Sequence, residues 1–316
     1  MLYSVEPMHI PDGFLSAAVS IIFWFLSIIG ISIALIKLNK NTDERKMPLI
    51  GMLGAAIFAA QMINFVVIGG TSGHLMGAAI AAILAGPWGA VLVMTTVVAV
   101  QALIFQDGGL LVLGANIFNM GILSVAVSYV VYKIINRLSR SKKWGIYLAG
   151  FSAAWLSIVA ASISVSLQLA ISGTSPIRIV FPAMVGIHML IGIGEGLITV
   201  GAFALIFATR PDILQPTSER FTPGAILAVI GFGLTLGLVL LSPMASSYPD
   251  GLEWVAERQD FLNAAREPVY KLLPDYILPG ISNEALATIL AGIVGITLVF
   301  IVGLILAYAR RKRQTV

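Results

Sequence analysis

Long apolar runs separated by short polar interruptions repeat from one end of the chain to the other. They predict spans at about Phe14–Leu38, Pro48–Ile68, Trp88–Phe105, from Leu113 onward, Gly145–Ala170, Val180–Ala208, Phe221–Leu241 and Glu284–Tyr308. These runs are of the order of the ~20 residues that a helix needs to cross hydrocarbon. One run differs. Between His74 and Gly86-Pro87 it has only roughly eleven residues, which predicts a short re-entrant or strongly tilted helix. Irregular backbone at that depth survives only inside protein. With this segment included, the pattern predicts an all-α polytopic membrane protein of about nine transmembrane segments.

Composition agrees. Only 11% of the 316 residues are charged and 58% are hydrophobic, with a mean hydropathy of +0.97. Soluble domains carry roughly 25% charge, so too little charge is present to cover a water-facing surface. The absence of cysteine excludes disulfides, thiolate metal sites and a cysteine nucleophile. There is no Gly-rich loop ending in Gly-Lys-Ser/Thr, so an ATP-driven step would need a partner. There is no His-Glu-x-x-His motif, which leaves an intramembrane hydrolase without support.

Basic residues set the expected orientation. The loops after the first, fifth and seventh segments and the C-terminal tail hold 15 of the 19 Lys and Arg, and Arg178, Arg258, Arg266 and Lys271 lie on the other side. By the positive-inside rule the N-terminus is outside and the C-terminus inside. His9, His74 and Asp107 then fall at the outer face. In the long outer loop from Ser242 to Asn283, Asp250-Gly-Leu-Glu253 reads as a capped helix start. Trp254, Ala256 and Phe261 suit a helix lying against the membrane interface, with a lid over the outer mouth as the functional alternative, and Pro268 should end it.

The candidate chemistry begins at Met8-His9-Ile10-Pro11-Asp12-Gly13, just before the first span. Pro11 fixes φ and Asp12-Gly13 is a turn pair, so the stretch is a rigid bend carrying an imidazole. Imidazole together with neighbouring backbone nitrogens can form a tetragonal site suited to Ni(II) or Cu(II). A bare turn that happens to contain a histidine is the bland alternative. His74, in Gly69-Gly-Thr-Ser-Gly-His74, brings a second imidazole to the same face.

Within the spans, Glu195 is the one acidic residue inside an apolar run, and His188 lies two helical turns before it on the same face. Buried ionisable residues of this kind are functional candidates. The pair reads either as a proton relay or inner metal stop, or as a tie between helices. The neighbouring Gly192-x-x-x-Gly196 permits close helix packing. Asn64, Gln101, Asn116 and Asn119 either orient metal histidines from behind or bond helix to helix.

Several stretches together resemble a known family. Met8-His9-Ile-Pro-Asp-Gly13, Ser72-Gly-His74-Leu-Met-Gly77, Gly86-Pro87-Trp88, Gln101-Ala-Leu, Asp107-Gly-Gly and Gly114-Ala-Asn116-x-Phe-Asn119-Met-Gly121 resemble the M component of cobalt and nickel energy-coupling-factor transporters, their substrate-capture subunit. Pro249-Asp-Gly-Leu-Glu253 resembles the small N component, so the chain resembles an M–N fusion. The implied domains are 1–209 for metal capture, 210–221 as cytoplasmic linker and 222–316 as a two-helix N-like unit.

The resemblance implies Ni²⁺ or Co²⁺ uptake across the cytoplasmic membrane of a prokaryote, with nickel favoured. It implies no resident cofactor and no enzymatic activity in this chain. A transmembrane coupling (T) subunit and ABC ATPase subunits are the implied partners. It also implies a four-nitrogen metal site: the Met8 main-chain nitrogen, the His9 main-chain nitrogen and imidazole, and the His74 imidazole. In the family that Met is the mature N-terminus, whereas seven residues precede Met8 here. Mature chains are therefore expected to begin at Met8. The alternative from another class is an ion-coupled secondary metal carrier using His188 and Glu195.

Overall fold

The computed structural model describes residues 8–41, 47–209 and 225–308. Its long elements are α1 (Ala17–Asn41), α2 (Met47–Gln61), α3 (Ala78–Val100), α5 (Ser124–Leu138), α6 (Lys143–Ile171), α7 (Ile177–Thr209), α8 (Ala225–Leu241) and α10 (Glu284–Tyr308). Shorter pieces complete it: strands β1 (Phe65–Val67) and β2 (Thr71–Gly73), and helices α4 (Leu113–Asn116) and α9 (Gly251–Arg258). π-helical turns at Gln101–Phe105 and Ile117–Leu123 extend α3 and join α4 to α5. Apart from the β1–β2 hairpin and the connecting loops the described chain is helical, as its apolar runs predict.

The predicted short segment is present as the first limb of α3. The helix breaks at Gly86, whose φ of 72° and ψ of 169° lie in a region essentially reserved for glycine. Pro87 follows and supplies no backbone donor. Residues 78–105 could be taken as a single 28-residue span. Straight, that helix would be about 42 Å long. Yet His74, just before it, lies against His9, and Asp107, just after it, lies against His9 too. Between those ends, Ile83 and Leu84 pack with Ile146 and Phe207, and Gly89 faces Leu38 and Ile50. The chain therefore runs from the His9 end to the far end, reverses at Gly86-Pro87, and returns.

Loops collect at the His9 end. Thr174, between α6 and α7, donates its hydroxyl to the Phe14 carbonyl. Phe261 stacks edge-on against Phe14 at 5.2 Å. Lys37, Lys133, Arg137, Arg140, Lys142 and Lys143 belong to the helix ends and turn at the opposite end, whereas Arg178, Arg258, Arg266 and Lys271 belong to the His9 end. The expected linker at 210–221, the Arg310–Arg313 tail and Met1–Pro7 lie outside the described residues.

Glycines set how closely the last helices dock. A Cβ on Gly303 of α10 would lie 3.0 Å from the Cα of Gly51 on α2, and one on Gly295 would strike Phe58. On α7, Gly192 and Gly196 face Trp155 and Phe151 of α6, the close packing that their spacing predicts.

The loop helix differs from expectation. Asp250 does cap α9, and the Glu253 side chain reaches back to complete the capping box. The helix stops at Arg258 rather than at Pro268, after eight residues. Its apolar face is taken by protein, not by a membrane interface: Leu252, Val255, Ala256 and Phe261 pack with Ile187 and Ile191 of α7. Trp254 lies under the Arg258 guanidinium at 4.0 Å and donates its indole N–H to the Gly69 carbonyl.

Candidate metal centre

The Met8–Gly13 bend is held along the 107–116 segment by its own polar atoms. Gly13 takes a φ of +98° and closes the turn. The Asp12 carboxylate accepts the main-chain N–H groups of Leu110, Leu111 and Val112 at 3.1, 2.9 and 3.2 Å. The Asn116 amide grips both sides of the Ile10 peptide, accepting from its N–H at 3.2 Å and donating to its carbonyl at 3.1 Å. These contacts fix where His9 can sit.

His74 arrives from the β1–β2 hairpin, in which Phe65 pairs with Gly73 and Val67 with Thr71. The loop before Asp250 runs along this hairpin: the Ser72 N–H donates to the Pro249 carbonyl at 2.8 Å, and its hydroxyl donates to the Tyr248 carbonyl at 2.8 Å. After His74, the fully buried Glu195 accepts the N–H groups of Met76 and Gly77 at 2.6 and 2.9 Å. The Gln61 side chain donates to the Met76 carbonyl, and Gln101 donates to Gln61, each at 2.8 Å.

The two imidazoles meet with ring centres 5.7 Å apart and planes at 75°. An ion about 2.1 Å from each ring nitrogen would put two imidazole centres at most ~6.4 Å apart, so one ion can serve both. The His74 Nδ1 faces the Leu75 carbonyl at 3.1 Å, which leaves its Nε2 as the free lone pair. The His9 main-chain N–H and Nδ1 both point at one atom, Asp107 Oδ1, at 3.2 and 3.0 Å. Its Nε2 is buried without a partner. Asp107 Oδ2 accepts the Tyr276 hydroxyl at 2.5 Å. Beside these groups lies a cavity of about 90 Å³, bordered by Met8, His9, His74, Asn119, His188 and Asp250 among others.

The two histidines have opposite electrostatics. Burial, aided by the nearby His9 charge, pushes His74 down to about 4, so it is a neutral donor at physiological pH. Burial also pulls His9 down, but the Asp107 carboxylate more than offsets this and holds it above the usual imidazole value. Asp107, itself desolvated, is kept below the usual carboxylate range by His9. Asp250 is pushed up to about 7, chiefly by burial.

Several of the predicted polar residues lie around the histidine pair. Asn116 holds the His9 bend, and Gln101 supports the His74 loop through Gln61. Asn119 borders the cavity and is tied to Gln168 and Ser164 of α6. Asn64 is not a support for the histidines: its carbonyl accepts the Ser246 N–H at 2.9 Å, its side-chain Oδ1 has no partner, and it does not border the cavity. His188 borders the cavity with Nδ1 on the Met184 carbonyl at 2.7 Å. Glu195 spends both oxygens on the His74 loop and so ties α7 to the start of α3, while His188 is bonded to Met184 on its own helix. Asp12, Gln61, Asp107 and Tyr276 enter the site without having been chosen from sequence. Asp107-Gly-Gly is one of the stretches that carry the family resemblance, whereas nothing local marks Tyr276. Among the described residues no three His, Asp or Glu side chains form a ready-made metal cage; main-chain nitrogens would have to complete one.

Comparison with known proteins identifies the family. Residues 9–213 match the family described as cobalt uptake substrate-specific transmembrane region, and residues 224–312 match the PDGLE domain. A putative fused nickel transport protein of Archaeoglobus fulgidus is 38% identical over 96% of this chain and 99% of its own length. A cobalt transport protein of Sorangium cellulosum is 33% identical over 69% of this chain and all of its own length. A crystal structure of a transition metal transporter is 28% identical with a TM-score of 0.56, over 72% of this chain and 99% of that one. This multi-pass, all-α chain therefore belongs to the cobalt uptake substrate-specific transmembrane family of nickel and cobalt transport proteins, with a PDGLE domain fused behind it.

Proposed function

We propose that the chain is the substrate-specific subunit of an energy-coupling-factor type ABC importer for Ni²⁺ or Co²⁺, with nickel slightly favoured. In this reading it lies in the cytoplasmic membrane of a prokaryote with the His9 end outward and its C-terminus inside. A transmembrane coupling subunit and ABC ATPase subunits drive release of the ion inward. The carrying observation is the pair of buried imidazoles 5.7 Å apart at one end of the helices.

The ion would take the Met8 main-chain nitrogen, the His9 main-chain nitrogen once its amide proton has left, and the His9 and His74 imidazoles. Four nitrogens near a plane suit Ni(II). Support comes from the convergence of two His9 nitrogens on one point, which Asp107 Oδ1 occupies. An ion entering there displaces that oxygen and keeps the carboxylate close as a counter-charge. The carrier alternative gains no support, because Glu195 is committed to the main chain of Met76 and Gly77.

Isothermal titration of the purified chain with Ni²⁺ and Co²⁺ tests the site. His9→Ala and His74→Ala should each abolish tight binding while the protein stays folded; unchanged affinity in either overturns the assignment. Uptake by vesicles holding the chain with and without the partner subunits separates the importer from a carrier. A carrier would reach full activity alone.

A further inference from the structure

Tyr276 belongs to the PDGLE domain, yet its hydroxyl ends 2.5 Å from Asp107, the carboxylate that faces the His9 nitrogens. Resting on the metal-site reading above, we infer that Tyr276 is a positioning residue for metal binding. It holds Asp107 by Oδ2, so that Oδ1 can yield the His9 nitrogens to an incoming ion while the carboxylate stays beside it.

Three observations carry this. The hydroxyl's aim is fixed, because the Tyr276 ring stacks on Phe105 at 4.8 Å and 17° and lies 6.0 Å from Phe58. The segment around it is stitched to the chain leading into Asp107: the Tyr270 hydroxyl donates to the Leu103 carbonyl at 2.8 Å, the Leu272 N–H to Gln106 Oε1 at 3.0 Å, and the Leu273 N–H to the Ile104 carbonyl at 3.1 Å. Three of the six non-glycine residues with positive φ among the described residues lie at the two ends of the Tyr276–Asp107 bond. Asp275, Tyr276 and Gln106 all hold φ between +57° and +58° without being glycine. Such conformations cost of the order of 1–3 kcal/mol each and persist where surrounding contacts over-determine them, most often at functional sites.

The chemistry assigns the sign. Asp107 is buried, so a carboxylate there is stable only while its oxygens are paired. Without the Tyr276 hydroxyl, the donors of His9 become its main remaining partners, and the carboxylate clings to the nitrogens that the ion needs. Removing the hydroxyl should therefore weaken metal binding although Tyr276 touches no ligand.

Tyr276→Phe keeps the stacked ring and removes only the hydroxyl. Ni²⁺ affinity of the full chain should fall by about tenfold, with the visible absorption of the bound Ni²⁺ altered. In an Asp107→Asn background the same change should have little further effect, since residues acting through one another are not additive. Tyr270→Phe removes a hydroxyl from the same docking segment and should leave affinity unchanged. Unchanged affinity in Tyr276→Phe, full additivity with Asp107→Asn, or an equal loss in Tyr270→Phe would each overturn the inference. If Tyr276→Phe is silent while His9→Ala abolishes binding, only the inference fails. If both are silent, the metal site itself is misassigned.

Discussion

Glu195 accepts the Met76 N–H at 2.6 Å, joining the middle of α7 to the turn that follows His74 across 119 residues of sequence. Its other oxygen takes the Gly77 N–H at 2.9 Å, so the carboxylate closes the start of α3 and sets the depth of the His74 loop.

Glu195→Gln replaces one acceptor oxygen with an NH₂ group facing an N–H donor. Loss of a charge-assisted hydrogen bond is worth about 1.5–3 kcal/mol. Thermal denaturation should show a destabilised protein, and Ni²⁺ titration should show affinity weakened by about tenfold, against complete loss in His74→Ala. A variant with wild-type stability and affinity would mean that the loop is held by other contacts.

Gly86→Ala tests the reversal within α3. A Cβ there meets no atom within 4 Å, so crowding contributes nothing. The cost comes from the backbone conformation, of the order of 1–3 kcal/mol. The melting temperature should drop while Ni²⁺ affinity stays within a few-fold of wild type. An unaffected melting temperature would argue against the break at this residue.

The histidines give opposite pH signatures. With His74 at about 4 when folded and an ordinary imidazole near 6.5 when unfolded, the unfolded chain binds the extra proton between those values. The His74 contribution to stability is therefore present above about 6.5 and is lost as pH falls towards 4. Denaturation of metal-free protein at several pH values should show this loss in wild type and less of it in His74→Gln; equal slopes would refute the assignment. His9 is raised, so its contribution is present at lower pH and is lost as pH rises through its folded value, above 6.5. The proton on His9 must leave before its imidazole can bind an ion. Ni²⁺ affinity should accordingly fall as pH drops through that value, and titrations at pH 6 to 8 will measure the slope.

A chain beginning at Met8 should bind Ni²⁺ more tightly than one retaining Met1–Pro7, and the difference should grow below neutral pH. A free α-amine has a pKa near 8, so making it a ligand at pH 7 costs about 1.4 kcal/mol. The Met8 amide of the longer chain must give up a much more tightly held proton. Parallel titration of both chains from about pH 6 to 8 decides this; equal affinities would remove the Met8 nitrogen from the ligand set.

Sequence alone determined what depends on local pattern. Apolar run lengths specify membrane helices because hydrocarbon tolerates little else. Gly86-Pro87 specifies a break because backbone sterics forbid a continuous helix there. Pro11-Asp12-Gly13 specifies a bend, and Asp250 with Glu253 specifies a capped helix start. The two histidines could be placed at one face because span counting and basic loops need no side-chain geometry. Tertiary structure alone decided which polar atoms meet. Glu195 shares a helical face with His188, yet its partners are main-chain groups on another element, because a buried carboxylate takes whatever donors packing brings to it. Asn64 and Asn116 are the same residue type in similar settings, and only one reaches the His9 bend. Tyr276 and Asp107 are 169 residues apart, and no periodicity spans that separation. Their hydrogen bond exists because α10 and its preceding loop dock on α2, and the glycine-lined contact that permits this docking is a property of two surfaces rather than of either stretch of sequence.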